Sequence, residues 1–415
     1  MSYLSEAETY TDDLIALRCT LHRDPEIGLE LPHTRAHVLA ALDGLPLELT
    51  LRDDDASIVA VLRGGTGGGS AAGSATGNPQ PDGPRRSVLL RADMDALPVH
   101  ELTELPYAAQ GDAMHACGHD LHTAILVGAA RVLSARRQSL AGDVVMLFQP
   151  GEEGFDGAKR MIAAGALDAS GVRPSAAYAL HVTSARYAGG VVATRPGAFM
   201  AASDVLRVTV RGRGGHASAP HETLDPITVA AELVTALQTL VTRRFDAFDP
   251  VVLTVGSFHA GVQHNIIPDT AQFEATVRTF SSAAQAGIAE KATLLCTKIA
   301  EGYGLTAEVE WTTLYPVTEN DPAEARFLME TAGSLFGEAN VTLMPAAIAG
   351  SEDFSRILQL IPGAMAFLGA TPAGADPDTA AFNHSPVAMF DDAVVPSGAA
   401  LLSRLAADRL SALAR

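Results

Sequence analysis

Apolar and polar positions change rhythm along this chain. Over residues 6–22 the apolar side chains, among them Leu14, Ile15, Leu17 and Leu21, gather on one side of a 3.6-residue period and predict an amphipathic helix. Short apolar runs at 88–90, 143–148 and 176–180 predict buried strands. Residues 121–135 form a strongly apolar helical run between the first two of these. Strand alternating with helix is the rhythm of an α/β domain with a largely parallel central sheet.

From about residue 186 the rhythm shifts. Runs at 205–210 and 251–258 read as strands, 228–241 and 284–299 as helices, and 273–280 alternates like a half-exposed strand. The order strand–helix–strand–strand–helix–strand predicts a smaller α+β sandwich with an antiparallel sheet. After about residue 307 helix–strand character returns, and the chain closes on a helix over 391–414. The expected organisation is a larger domain of residues 1–185 and 307–415, interrupted by an insert of residues 186–306. Residues 64–84, GGTGGGSAAGSATGNPQPDGP, predict a mobile surface loop between strand-like runs at 57–63 and 87–91, a hairpin with a long insertion.

Composition narrows the function. Of 415 residues, 29 are Lys or Arg and 48 are Asp or Glu, a formal net charge of −19 that repels nucleic-acid phosphates. No uninterrupted apolar run reaches the roughly 18 residues of a membrane span, and the acidic start MSYLSEAETYTDDL shows no secretory signal. The three cysteines are too scattered for a disulfide framework. A cytoplasmic protein with no nucleic-acid or membrane partner is expected.

Chemistry-bearing residues cluster where predicted strands end, the usual place for sites on α/β sheets. Asp93 and Asp95 follow an apolar strand at i, i+2 spacing; a solvated strand end with a capping Asp is the plainer reading. In MHACGHDLH, residues 114–122, Cys117 and His119 open a predicted helix, whose N-terminus favours thiolate. In QPGEEG, residues 149–154, consecutive glutamates must project to different sides. One can bind a metal while the other faces a bound water, as metal-assisted hydrolysis requires. His181 closes another apolar run, and His384 sits in a Pro-restricted turn. Taken singly, each of these histidines reads as ordinary. Together Cys117, His119, Glu153, His181 and His384 supply five donors, more than one tetrahedral zinc takes from protein, so two ions fit better. Sulfur and nitrogen donors argue against Mg²⁺ and Ca²⁺ and leave Zn²⁺, Mn²⁺, Co²⁺, Ni²⁺ or Fe²⁺. In the insert, His216, Asn265 and Arg278 form a polar set able to hold a carboxylate or an oxyanion, or else a tight turn, a loop Asn and a surface Arg.

In their order, LHRDPEIGLE, LLRADMDALPVHE, MHACGHDLHTA, LFQPGEEG, LHV, GRGGHASAPH, HNIIPDTA, GSEDFS and NHSP cover nearly the whole chain. On these motifs the chain resembles the dinuclear-metal amidohydrolases that include aminoacylases, carboxypeptidases and dipeptidases. Within them it is most similar to the branch of hippurate hydrolases, N-acyl-L-amino-acid amidohydrolases and auxin-conjugate hydrolases. The resemblance implies a catalytic larger domain and a smaller domain that serves for dimerisation. It implies Cys117, His119, Glu153, His181 and His384 as ligands of two divalent transition-metal ions, zinc or manganese first, with Cys117 bridging. It implies Glu152 as general base and then acid, and Asp95 as the carboxylate that orients a ligand or tunes the site. Asp93 stands where other members carry a metal-binding His and is left out of the ligand set. His216 and Asn265 match positions that contact substrate. The implied substrate is a small N-acyl amino acid, and the implied assembly a homodimer or homotetramer. A dipeptidase or carboxypeptidase of the same fold, a cysteine hydrolase using Cys117 and His119, and a non-catalytic metal binder are the alternatives. The glycine-rich insertion and the His-rich run at 256–264 depart from the family pattern and bear on substrate identity.

Overall fold

The computed structural model describes residues 1–65 and 86–414. Of the glycine-rich segment at 64–84 only Gly64 and Gly65 are described, so the mobile loop expected there lies outside the described residues. The chain forms two compact units, one of Met1–Gly197, Glu319–Pro345 and Arg356–Arg415, the other of Ala198–Thr318 and Ala346–Ser355.

The larger unit is α/β. Its eight-stranded sheet runs in the order Leu47–Leu51, Ile58–Leu62, Asp143–Gln149, Ser87–Asp93, Ala176–Ala188, Gly363–Thr371, Val192–Thr194, Val341–Leu343. The four central strands, from Asp143–Gln149 to Gly363–Thr371, are mutually parallel. Three of them are buried at every position, as sheets covered on both faces require, and that is why their sequences are continuous apolar runs. Helices His119–Ala135 and Val395–Leu413 bring Leu121, Ile125, Leu401 and Leu405 into the same core as strand residues Leu90, Met146 and Leu180.

The expected hairpin between 57–63 and 87–91 does not form. Asp143–Gln149 lies between the two strands, antiparallel to Ile58–Leu62 and parallel to Ser87–Asp93, and Ile58–Leu62 pairs on its other side with Leu47–Leu51. The helix expected over 6–22 is divided into Tyr3–Ala7, a 3-10 turn Glu8–Tyr10, and Thr11–Arg23.

The smaller unit is the α+β sandwich. Its antiparallel sheet has the order Val251–Ala260, Thr270–Thr279, Ala202–Arg211, Thr306–Tyr315. Helices Pro226–Arg244 and Ser282–Gly302 bury Leu233, Leu237, Ile288 and Cys296 against Leu206, Val208, Phe273 and Val277. Thr306–Tyr315 pairs along its length with Ala202–Arg211. The boundary expected at 306 therefore falls in front of this unit's last strand, and that expected at 186 falls inside the strand Ala176–Ala188 of the larger unit.

Candidate metal centre

In the larger unit Asp93 ends a central strand and the paired glutamates follow another, Cys117 and His119 stand at a helix start, and His384 lies in a turn, while His181, expected to close its strand, lies inside Ala176–Ala188. Ser87–Asp93 ends on a wholly buried carboxylate. Asp93 accepts hydrogen bonds from the Arg91 guanidinium and from His122 Nδ1. Burial raises its pKa, but Arg91, His119 and His122 outweigh that and hold it well below the usual carboxylate range. His122 Nε2 accepts the main-chain N–H of Val182 at 2.7 Å, so the proton of this imidazole belongs on Nδ1, facing Asp93. Both nitrogens of His122 and both oxygens of Asp93 are thus engaged within the protein, although Asp93, His119 and His122 lie close enough to suggest a third ligand group.

Cys117 precedes the helix His119–Ala135, with Gly118 between them at φ +85°, a left-handed conformation that glycine adopts without penalty. A Cβ there would also lie 2.4 Å from Val182 Cγ2. The turn brings the Cys117 sulfur 3.4 Å from His181 Nε2 and 3.2 Å from His384 Nε2. Two sets of donor atoms, each mutually within 4.8 Å, share this sulfur: Cys117, His119 and His181, and Cys117, Glu153 and His384. His384, at φ +72°, also lies 3.1 Å from Glu153 Oε1.

The paired glutamates follow Asp143–Gln149 on a segment bent by left-handed glycines, Gly151 at φ +69° and Gly154 at φ +86°. Asp95 clasps this segment: Oδ1 accepts the N–H of Glu152 at 2.9 Å and Oδ2 that of Glu153 at 3.0 Å. The Asp95 carboxylate thus acts on the glutamates' backbone, and its main-chain carbonyl accepts a hydrogen bond from His119 Nδ1 at 2.8 Å. Glu152 is buried and places a carboxylate oxygen within 4.8 Å of donor atoms of His119 and Glu153.

The electrostatics are those of a cation site. Hydrogen bonds with Cys117 and Glu153 push His384 up to about 10. Burial drives His119 down, but Asp93 and Cys117 more than offset it and hold it well above the imidazole range. His181, buried and beside His122, is held well below that range and so stays neutral. Burial raises Glu153, yet His384 and His119 bring it below its ordinary value. Metal binding draws on this same set, because each donor must surrender its proton to become a ligand.

One atom tests the fit directly. His119 commits Nδ1 to the Asp95 carbonyl and leaves Nε2 buried, 3.7 Å from Asp93 Oδ2 and with no hydrogen-bond partner among the described residues. A buried nitrogen without a partner costs about 1–3 kcal/mol, and a coordinated ion removes that cost. A sulfur shared by one set of two imidazoles and another of an imidazole and a carboxylate is a donor set suited to borderline-soft divalent ions rather than to Mg²⁺ or Ca²⁺.

Two features behind the site lie inside recognised motifs but were given no role from sequence. Asp120, next to His119, is buried with Arg18 at 3.1 Å and His22 Nδ1 at 2.7 Å, and His22 Nε2 reaches Glu101 at 3.1 Å. Asn383, next to His384, hydrogen bonds Cys117, Val182 and Ser184. The signal for both was adjacency to a recognised histidine.

In the smaller unit His216 pairs with Ile266, which sets it beside Asn265, whose carbonyl accepts the Ala217 N–H at 3.1 Å. Arg278 does not join them. It pairs with Ser203 at the far end of Thr270–Thr279, about 27 Å along an extended strand, and donates to Ser203 Oγ, Thr276 Oγ1 and its neighbour's carbonyl. The three residues expected to contact substrate thus lie in two places in this unit, His216 and Asn265 at the paired turn and Arg278 at the strand's far end.

Among the described residues no helix is long and apolar enough to cross a membrane. A profile of peptidase family M20/M25/M40 matches residues 89–408. The chain is 36% identical over 363 residues to an N-acetyl-L-cysteine deacetylase of Bacillus subtilis, covering 87% of this chain and 81% of that one. It is 34% identical over 408 residues to the IAA-amino acid hydrolase ILR1-like 4 of Arabidopsis thaliana, covering 97% and 87%. A crystal structure of a dinuclear metal binding M20 peptidase from Bacillus subtilis superposes with a TM-score of 0.79 at 28% identity, covering 97% of this chain and 99% of that one.

Proposed function

The chain belongs to peptidase family M20/M25/M40, and on that premise we propose that it is a metal-dependent amidohydrolase cleaving the amide bond of N-acyl amino acids. The observation that supports this most is the pair of donor groups sharing the Cys117 sulfur, with the second acid, Glu152, close by. Cys117, His119, Glu153, His181 and His384 would hold two divalent ions, zinc or manganese first and cobalt, nickel or iron after them. When bound, such ions supply Lewis acidity and a water acidic enough to attack near neutral pH. Glu152 accepts a proton from the attacking water as the new C–O bond forms at the amide carbon. It then delivers that proton to the leaving nitrogen as the C–N bond breaks, giving a carboxylate and a free amino acid. Asp95 holds both glutamates through their main-chain amides while the proton moves.

His216, Asn265 and Arg278 are the candidates for substrate contact. A homodimer or homotetramer working in the cytoplasm completes the reading, and light scattering on the purified protein tests the assembly.

The test is a panel of N-acyl amino acids set against unblocked dipeptides, each run with and without a chelator. Chelator-sensitive turnover of the acylated substrates is expected. Turnover confined to dipeptides moves the reading to a dipeptidase or carboxypeptidase. Hydrolysis that survives complete metal removal overturns the metal mechanism.

A further inference from the structure

Asn383 belongs to neither donor group, yet its side-chain amide is engaged at both ends. Oδ1 accepts the Ser184 main-chain N–H at 3.0 Å and lies 3.1 Å from Ser184 Oγ. Nδ2 donates to the carbonyls of Cys117 at 3.1 Å and Val182 at 3.0 Å, and lies 3.9 Å from the Cys117 sulfur. A main-chain N–H can only donate and a carbonyl can only accept, so the amide orientation is fixed by its partners. One amide thus touches the Cys117 turn, the strand just after His181 and, through its own backbone, His384.

The His384 turn needs such an anchor. His384 is a non-glycine residue in the left-handed region, which persists only where surroundings impose it. Its N–H bonds the Ala116 carbonyl at 2.8 Å, beside the Asn383 contact to Cys117, so two consecutive residues are fastened to two consecutive residues.

We propose that Asn383 is the positioning residue of the metal centre, holding Cys117, His181 and His384 in register, with its Nδ2 set 3.9 Å from the Cys117 sulfur. The inference rests on the metal-centre reading and adds to it a residue that is not a ligand. Groups that orient ligands from behind typically account for roughly 10- to 100-fold in metal affinity. Asn383→Asp keeps size and shape but turns both donated hydrogen bonds into oxygen–oxygen repulsion and sets negative charge beside the sulfur.

The experiment titrates metal-free wild type, Asn383→Asp and Ser184→Ala with Co²⁺. It follows the sulfur-to-cobalt charge-transfer band and cobalt bound per chain, and records thermal unfolding of each metal-free protein. Asn383→Asp is expected to bind cobalt roughly 10- to 100-fold more weakly, with a shifted band. Ser184→Ala, which keeps both donated hydrogen bonds, is expected to show a smaller change in the same direction. Should Asn383→Asp fail to fold, the Ser184→Ala titration decides: a shifted band and weaker uptake uphold the assignment, wild-type values overturn it. A lower melting temperature with unchanged cobalt affinity and band makes Asn383 a plain loop anchor and overturns the proposal. A wild type that takes up no cobalt overturns the metal-centre reading itself, and this inference with it.

Discussion

Asp95 and Glu152 stand 57 positions apart, yet the carboxylate of the first accepts the main-chain N–H of the second at 2.9 Å while its other oxygen holds the next amide. An asparagine in that place offers one acceptor and turns its own N–H against an amide N–H. Asp95→Asn is expected to lower kcat roughly 10- to 100-fold, with a smaller change in KM. Steady-state kinetics with metal analysis of the same sample check this, and an unchanged kcat would show that the clasp does not position the glutamates.

Glu152→Gln keeps the shape of the side chain and removes its basicity. Metal content is expected to match wild type while kcat falls about 10²- to 10⁴-fold, the usual range for a general base. A variant within tenfold of wild type rejects Glu152 as the proton carrier.

Gly118→Ala tests the turn that presents Cys117. The new methyl would face Val182 Cγ2 at 2.4 Å and Phe390 Cε1 at 3.1 Å, on a backbone at φ +85°. Overpacking costs about 1–3 kcal/mol, and the left-handed backbone adds to it. Urea unfolding of the metal-free protein measures the loss, and a variant as stable as wild type contradicts the packing described.

The buried His22 gives a pH signature. Burial pulls its pKa down, but Asp120 and Glu101 outweigh burial and Arg18 and leave it raised. A raised imidazole stabilises the fold fully below its unfolded value of about 6.5, and that contribution fades as pH rises through the folded value. His22→Gln is therefore expected to cost more stability at pH 6 than at pH 9, by about 1.5–3 kcal/mol, the range for hydrogen bonds to charged groups. Denaturant melts of both proteins at both pH values decide it; equal gaps would mean that His22 is neutral in the folded state.

The five donors stood out in sequence because each sits in a short motif at a recognisable feature: Glu153 after an apolar run, His181 in another, Cys117 and His119 at a helix start, His384 in a Pro-restricted turn. What local pattern could not show is which strands become neighbours. Nothing near residues 57–91 reveals that Asp143–Gln149 separates Ile58–Leu62 from Ser87–Asp93. The tasks of Asp95 and Asn383 were hidden for the same reason: their partners are backbone groups of segments 57 to 266 positions away, and a backbone amide leaves no mark in sequence. The placing of Arg278 was hidden too. It stands 13 positions after Asn265, but eight of them run along an extended strand that carries the guanidinium away.

The sulfur of Cys117 meets an imidazole that the chain supplies 267 positions later. A fragment that stops short of His384, whether from a premature stop codon or a proteolytic cut, can contain every central strand and still keep, of the two donor trios that share this sulfur, just that of Cys117, His119 and His181. A cut between Thr371 and His384 thus removes that donor while every strand of the eight-stranded sheet is still encoded.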